Sequence, residues 1–235
     1  MDKKFKAILF DLDGTLRHHI PNSGDVFSAH ARELGLRFSE EDKTRAERWE
    51  HFYFASSPEI RKDMNEFKGD AFWVNFCRRK LVALGCNPKD APRFSEPMST
   101  YMRDQYKPEV HVFEESRALL TSLQNDGYIL GVISNRDKPF HEELKNLKLD
   151  LHFSFSLAGG EVNSFKPDPA IFEHGLKKAG VNAHEAMYVG DNYFADILGS
   201  HRAGLTPALY DPGSLFPEAQ CAVIKNFDEL HKLLT

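Results

Sequence analysis

Residues 11–15 read Asp-Leu-Asp-Gly-Thr and follow directly on the apolar run Ala-Ile-Leu-Phe at 7–10. Asp11 and Asp13 sit two residues apart at the end of what reads as a buried strand. Charges placed there cost free energy unless something pairs with them. A calcium loop also carries acids at alternate positions, but its glycine is the sixth loop residue, whereas Gly14 is the fourth residue of this stretch. The pair suits a smaller hard cation, Mg²⁺, held through a few carboxylate oxygens with several waters retained. A carboxylate is also a nucleophile toward phosphorus, and an aspartyl-phosphate divides phosphoryl transfer into two steps.

Further along the chain, other residues suit the same chemistry. Ser134 and Asn135 end the apolar stretch "YILGVI", Lys166 lies in "SFKPDP", and Asp191 and Asp196 lie in "VGDNYFAD". Asp11, Asp13 and Asp191 are hard oxygen donors. Lys166 is a point positive charge that would ease the approach of an anionic nucleophile to an anionic phosphate. Ser134, Asn135 and free backbone N–H groups can hold phosphate oxygens.

The elements that must position these residues alternate from residue 110 onward. The sequence predicts strands at 5–10, 128–135, 152–159, 186–191 and 206–210. It predicts helices at 112–126, 138–149, 168–180, 193–204 and 227–234. Asp168 is the expected N-cap of the third of these helices. Such alternation means a parallel sheet with helices on both faces. In that architecture ligands bind beyond the carboxyl ends of the strands, where all the residues named above fall. Residues 18–109 differ: they offer helical candidates at 23–35, 39–55, 70–84 and 89–105 and no convincing strand. Ser39 with Asp42 nearly matches a capping box at the start of the second. The expected organisation is therefore a core of 1–17 with 110–235, interrupted by a helical insert of 18–109.

Composition restricts the function classes. The chain has 235 residues, 41% hydrophobic and 28% charged, with a net charge of −5. Nothing gives it a global basic field for nucleic acid or an anionic membrane. No apolar stretch approaches a membrane span. The three cysteines, Cys77, Cys86 and Cys221, have no CxxC spacing, which fits a reducing cytoplasm.

With these residues assembled, the sequence resembles the haloacid dehalogenase (HAD)-like hydrolase superfamily over its whole length. The resemblance rests on "DLDGT" (11–15), "SN" (134–135), "FKPDP" (165–169) and "VGDNYFAD" (189–196), in the family's order. The insert resembles the helical cap of phosphoglycolate phosphatase-like members. The resemblance implies an α/β fold, a Rossmann-like three-layer core with five parallel strands, plus the all-helical cap, which would gate the site and choose the substrate. It implies Asp11 as nucleophile and Mg²⁺ ligand, and Asp13 as backbone-carbonyl ligand whose side chain is general acid, then base. Ser134 and the Asn135 backbone would hold the phosphoryl group, Lys166 would neutralise charge, and Asp191 would bind Mg²⁺. Asp196 would orient Lys166 or a metal-bound water. Arg17 and Arg136 are candidate substrate contacts.

Asp13 also separates reaction types. Dehalogenases of the family lack an acid two residues after the nucleophile, because a halide leaves without a proton and an alkoxide does not. The expected activity is thus Mg²⁺-dependent hydrolysis of a small phosphorylated metabolite by a cytoplasmic monomer or homodimer, without nucleic-acid or membrane partners. A phosphosugar mutase, a 2-haloacid dehalogenase and a non-catalytic phosphometabolite-binding protein are the alternatives. The aromatics of "RWEHFYF" (48–54) and "FWVNF" (72–76) are expected chiefly as packing.

Overall fold

The computed structural model describes residues 4–234. The chain forms, in order, β1 (Ala7–Phe10), β2 (His18–Ile20), α1 (Ser23–Glu33), α2 (Glu40–Phe54), α3 (Pro58–Glu66), α4 (Asp70–Ala83), α5 (Ala91–Asp104) and β3 (Glu109–His111). It continues with α6 (Glu114–Asn125), β4 (Ile129–Ser134), α7 (His141–Asn146), β5 (Phe155–Ala158), α8 (Gly159–Val162) and α9 (Pro169–Ala179). It ends with β6 (Ala186–Gly190), α10 (Leu198–Arg202), β7 (Thr206–Tyr210), β8 (Ala222–Ile224) and α11 (Phe227–Leu234). Two compact units result among the described residues: those up to 18 with those from 111 onward, and residues 19–110.

The first unit is built on a parallel sheet in the order β5-β4-β1-β6-β7-β8. Its central strand β1 is buried along its whole length, and its residues alternate between two apolar layers. Ile8 and Phe10 join a cluster with Leu119, Leu120, Leu123, Val132, Val189 and Tyr210. Ala7 and Leu9 join the opposite cluster with Ile133, Ile171, Phe172, Leu176 and Tyr188. A strand covered on both faces needs an unbroken apolar run, and that is why 7–10 carries no polar residue.

All five expected strands are in this sheet, but the sheet has six. The extra strand β8 pairs Tyr210 with Ile224 and carries the buried Ile224. Three residues are too short to show a period in the sequence, and pairing with β7 is what orders them. The insert region, expected to hold no strand, also contributes: β2 and β3 form a two-stranded sheet where the chain leaves and re-enters the first unit. Helix α3 went unanticipated. Pro58 fits its first turn, and Ser57 Oγ accepts from the Ile60 N–H at 3.2 Å.

The second unit packs α1–α5 around Phe27, Tyr53, Phe76, Leu81, Leu84 and Met98. The Ser39–Asp42 capping box is complete: Asp42 N–H donates to Ser39 Oγ (3.1 Å) and Ser39 N–H to the Asp42 carboxylate (2.8 Å). Of the two aromatic runs, Trp49, Tyr53, Phe72 and Phe76 pack in this cluster, while half of Trp73 is exposed. The three cysteines are unpaired. Among the described residues no helix is long and apolar enough to cross a membrane.

Candidate active site

Register places the chemistry. Phe10 of β1 lies level with Val132 of β4 and Val189 of β6. The residues that follow along the three strands are therefore neighbours: Asp11 just past β1, Ser134 at the end of β4 with Asn135 after it, and Asp191 just past β6. Strand order also reverses here, with β4 and β5 added on one side of β1 and β6, β7 and β8 on the other. A crevice at such a switch point is where parallel sheets bind ligands.

Asp11 keeps sheet geometry, its N–H donating to Val189 O at 2.9 Å, so its carboxylate stays buried. Beyond it the chain must turn. Gly14 has φ +91°, a left-handed conformation, and a Cβ there would collide with the Asp191 carboxylate. Thr15 Oγ1 donates to Asp191 Oδ1 at 3.0 Å, tying the turn to the β6 end.

Lys166 enters from the loop before α9. Its ammonium is buried and donates to Asp11 Oδ1 (2.5 Å), Asp196 Oδ1 (2.7 Å) and the Tyr188 hydroxyl (3.1 Å). Asp196 receives the Asn192 N–H on its other oxygen at 2.9 Å. It stands in a widened helical turn at Tyr193–Ile197, whose N-cap is Asn192. The sequence reading expects an ordinary helix across 193–204; the wide turn swings Asp196 back beneath β6, where Gly190 leaves space for it. With both oxygens engaged, Asp196 is arranged to orient Lys166.

Electrostatics of this cluster are unbalanced. Carboxylate oxygens of Asp11, Asp191 and Asp196 lie within 4.8 Å of one another, and all three residues are largely buried. Three carboxylates against one ammonium leave two negative charges in excess. Burial pushes Asp11 up to about 7 against the pull of Lys166, with Asp196 and Asp13 adding to the rise. Asp191 is raised well above the carboxylate range by burial and then by Asp11 and Asp196. For Lys166, burial works downward, but Asp11 and Asp196 outweigh it and hold the ammonium well above the usual lysine range. A divalent cation between Asp11 and Asp191 would remove the excess, and hard oxygen donors are what Mg²⁺ takes. The donor set therefore fits the metal.

Asp13 lies outside this cluster. Its half-exposed carboxylate accepts from Arg136 (Nη2 to Oδ2 2.8 Å, Nη2 to Oδ1 3.2 Å, Nε to Oδ2 3.2 Å) and lies 3.2 Å from Arg17 Nη1. Both arginines also pair with Glu143 of α7. Arg17 and Arg136, read from sequence as substrate contacts, are thus engaged by acids. Ser134 is buried at the end of β4, beside the site. The Asn135 side chain brackets the Lys166 backbone: Oδ1 accepts from Lys166 N–H at 2.6 Å and Nδ2 donates to Lys166 O at 2.9 Å. A cavity of about 550 Å³ is lined by residues 136–143.

Three residues escaped the sequence reading. Tyr188 is fully buried, accepts from Lys166 and donates to Ile133 O at 3.2 Å. Its signal was present, since a tyrosine in an otherwise apolar central strand needs a partner for its hydroxyl. Thr15 lay within the DLDGT motif without a role assigned to it, and Glu143 carried no comparable signal.

Comparison with known proteins bears on this arrangement. The model of the haloacid dehalogenase-like hydrolase family matches residues 8–209. Phosphoserine phosphatase of Thermus thermophilus is 30% identical over 233 residues, covering 91% of this chain and 91% of that protein. Haloacid dehalogenase-like hydrolase domain-containing protein 3 of Danio rerio is 27% identical over 203 residues, 84% of this chain and 81% of its own. In fold, the crystal structure of a predicted phosphoglycolate phosphatase from Haemophilus somnus aligns over 100% of both chains with a TM-score of 0.61 at 20% identity.

Proposed function

Since this chain belongs to the haloacid dehalogenase-like hydrolase family, we propose that it is a Mg²⁺-dependent phosphatase acting on a small phosphorylated metabolite. The observation that carries this reading is the buried Asp11 carboxylate, held by Lys166 at 2.5 Å and converging with Asp191 and Asp196. A phosphatase also accounts for Asp13, which a dehalogenase would not need. The phosphoserine phosphatase relative covers nearly the whole chain, which supports the same reading.

Asp11, Asp191 and the Asp13 backbone carbonyl would hold the metal. Bound there, Mg²⁺ supplies Lewis-acid stabilisation of charge on the phosphoryl oxygens. An Asp11 oxygen attacks phosphorus, forming a P–O bond as the bond to the leaving oxygen breaks. That oxygen keeps the electron pair and takes a proton from the Asp13 carboxyl. Water then attacks the aspartyl-phosphate, gives its proton to Asp13, and releases phosphate and the Asp11 carboxylate. Lys166 lowers repulsion between the Asp11 carboxylate and the incoming phosphate, and Asp196 and Tyr188 keep its ammonium in place. Ser134 and the Asn135 backbone hold the phosphoryl oxygens.

The test is hydrolysis of p-nitrophenyl phosphate and of a panel of phosphorylated metabolites, with Mg²⁺ and with EDTA, by wild type and Asp11→Asn. Mg²⁺-dependent turnover lost in the variant is expected. Turnover surviving in Asp11→Asn, or none on any member of the panel, overturns the reading.

A further inference from the structure

We infer that Arg17, Arg136 and Glu143 form a holding clamp that occupies Asp13 between catalytic events, with Glu143 a positioning residue that sets how readily Asp13 is released. The inference rests on the acid–base role proposed above for Asp13.

The geometry is specific. Asp13 Oδ2 receives Arg136 Nη2 and Nε, and Oδ1 receives Arg136 Nη2 and faces Arg17 Nη1 at 3.2 Å. Both oxygens are thus occupied by guanidinium donors. Proton donation to a leaving group competes with these contacts, so it requires Asp13 to give up part of them. The turn makes the clamp local: Gly14 N–H donates to Arg17 O at 2.8 Å, which folds Arg17 back beside Asp13.

Glu143 is what makes release affordable in charge. It takes Arg17 on Oε1 and Arg136 on Oε2, so both guanidiniums keep a carboxylate when Asp13 departs. Arg136 also lies over the Phe140 ring, 5.3 Å from its centre, which fixes it on the segment that carries Glu143. Two positive and two negative groups thus alternate around Asp13, Arg136, Glu143 and Arg17. Removing the Glu143 charge leaves Asp13 as the carboxylate within this ring for both arginines and tightens their hold on it.

The experiment compares kcat/KM for glycerol phosphate and p-nitrophenyl phosphate, neither of which carries a second anion. This parameter covers steps through transfer to Asp11, where an alkoxide needs the Asp13 proton and a nitrophenolate needs it far less. Glu143→Gln is expected to lower the alkyl value about tenfold while leaving the aryl value within about threefold. Adding Arg136→Gln to Glu143→Gln should return the alkyl-to-aryl ratio to within about threefold of wild type, because the tightened hold is removed. Glu143→Asp, which keeps the charge, should fall between wild type and Glu143→Gln. An unchanged ratio in Glu143→Gln, equal losses on both substrates, or no recovery in the double variant overturns the clamp. Asp13→Asn separates the two ideas. If it fails to lose the alkyl substrate selectively, the acid role itself falls. If it does and Glu143→Gln does not, only the clamp falls.

Discussion

Replacing Asn135 with alanine isolates the anchor of Lys166. Its amide accepts from Lys166 N–H at 2.6 Å and donates to Lys166 O at 2.9 Å, so one side chain satisfies both backbone groups of the residue it positions. Each lost bond contributes about 1 kcal/mol net, giving roughly 2 kcal/mol for the pair. For a chain of this length that is a fall in Tm of about 4–8 °C. The effect on rate is larger, since a shift of about 1 Å in a charged catalytic group can cost roughly a hundredfold. On the proposed mechanism Lys166 acts on charge during transfer, so kcat should carry most of that loss. Asn135→Asp sharpens the test: it keeps the acceptor for Lys166 N–H but sets an oxygen against Lys166 O, so it should lose at least half as much stability. Thermal melts and steady-state kinetics on the best substrate decide the matter. A Tm within about 1 °C of wild type together with kcat within about twofold would show that the bracket neither stabilises nor positions, and the reasoning would fail.

Two further outcomes follow from the same cluster. Tyr188→Phe should cost about 1–2 kcal/mol, read by urea unfolding, because it removes an acceptor for Lys166 and a donor to Ile133 O in a fully buried position; an unchanged midpoint would mean that the hydroxyl contributes nothing. Burial raises Asp11 to about 7, so its favourable contribution to metal-free stability is present below the unfolded value near 4 and is lost as pH rises through about 7; Mg²⁺ should therefore raise Tm more at pH 8 than at pH 5.5, and equal gains at both would contradict the charge excess assigned to Asp11, Asp191 and Asp196.

How much of this was legible in sequence depends on what fixes each residue in space. Asp11, Ser134 and Asp191 end strands, and strand register in a parallel sheet is set by the apolar pattern, so their convergence followed from the pattern alone. Lys166 sits in a loop and Asp196 in the wide helical turn, and it was the motif, not the periodicity, that pointed to them. Glu143 was illegible because Glu142 and Glu143 are adjacent acids on a six-residue helix, and no period that short tells which faces the site. Glu142 pairs with Lys145, while Glu143 takes both arginines. Arg17 and Arg136 were legible as cations near the site, but not as partners of Asp13, because they come from segments 119 residues apart. Strand β8 and the wide turn at 193–197 depend on tertiary pairing and on Asp196 reaching Lys166, which local sequence does not encode.

The two acids of residues 11–13 end in opposite environments, and the cause lies in the two residues on either side of Asp13. Asp11 is the last residue to follow the sheet, so its carboxylate is carried inside, where Lys166 alone faces three acids and a further cation would balance the charge. Leu12 is fully buried and spends the next position on packing. Gly14 then takes a left-handed turn that carries Thr15 and Leu16 back into the interior and leaves Asp13 half exposed among two arginines and Glu143. A buried group in a charge-deficient cluster gains most from a metal and is poorly placed to exchange protons with water. A half-exposed group in a balanced ring can change partners without stranding a buried charge. The residues proposed as nucleophile and as acid–base catalyst are therefore separated by environment rather than by residue type, as is general where two carboxylates share a site.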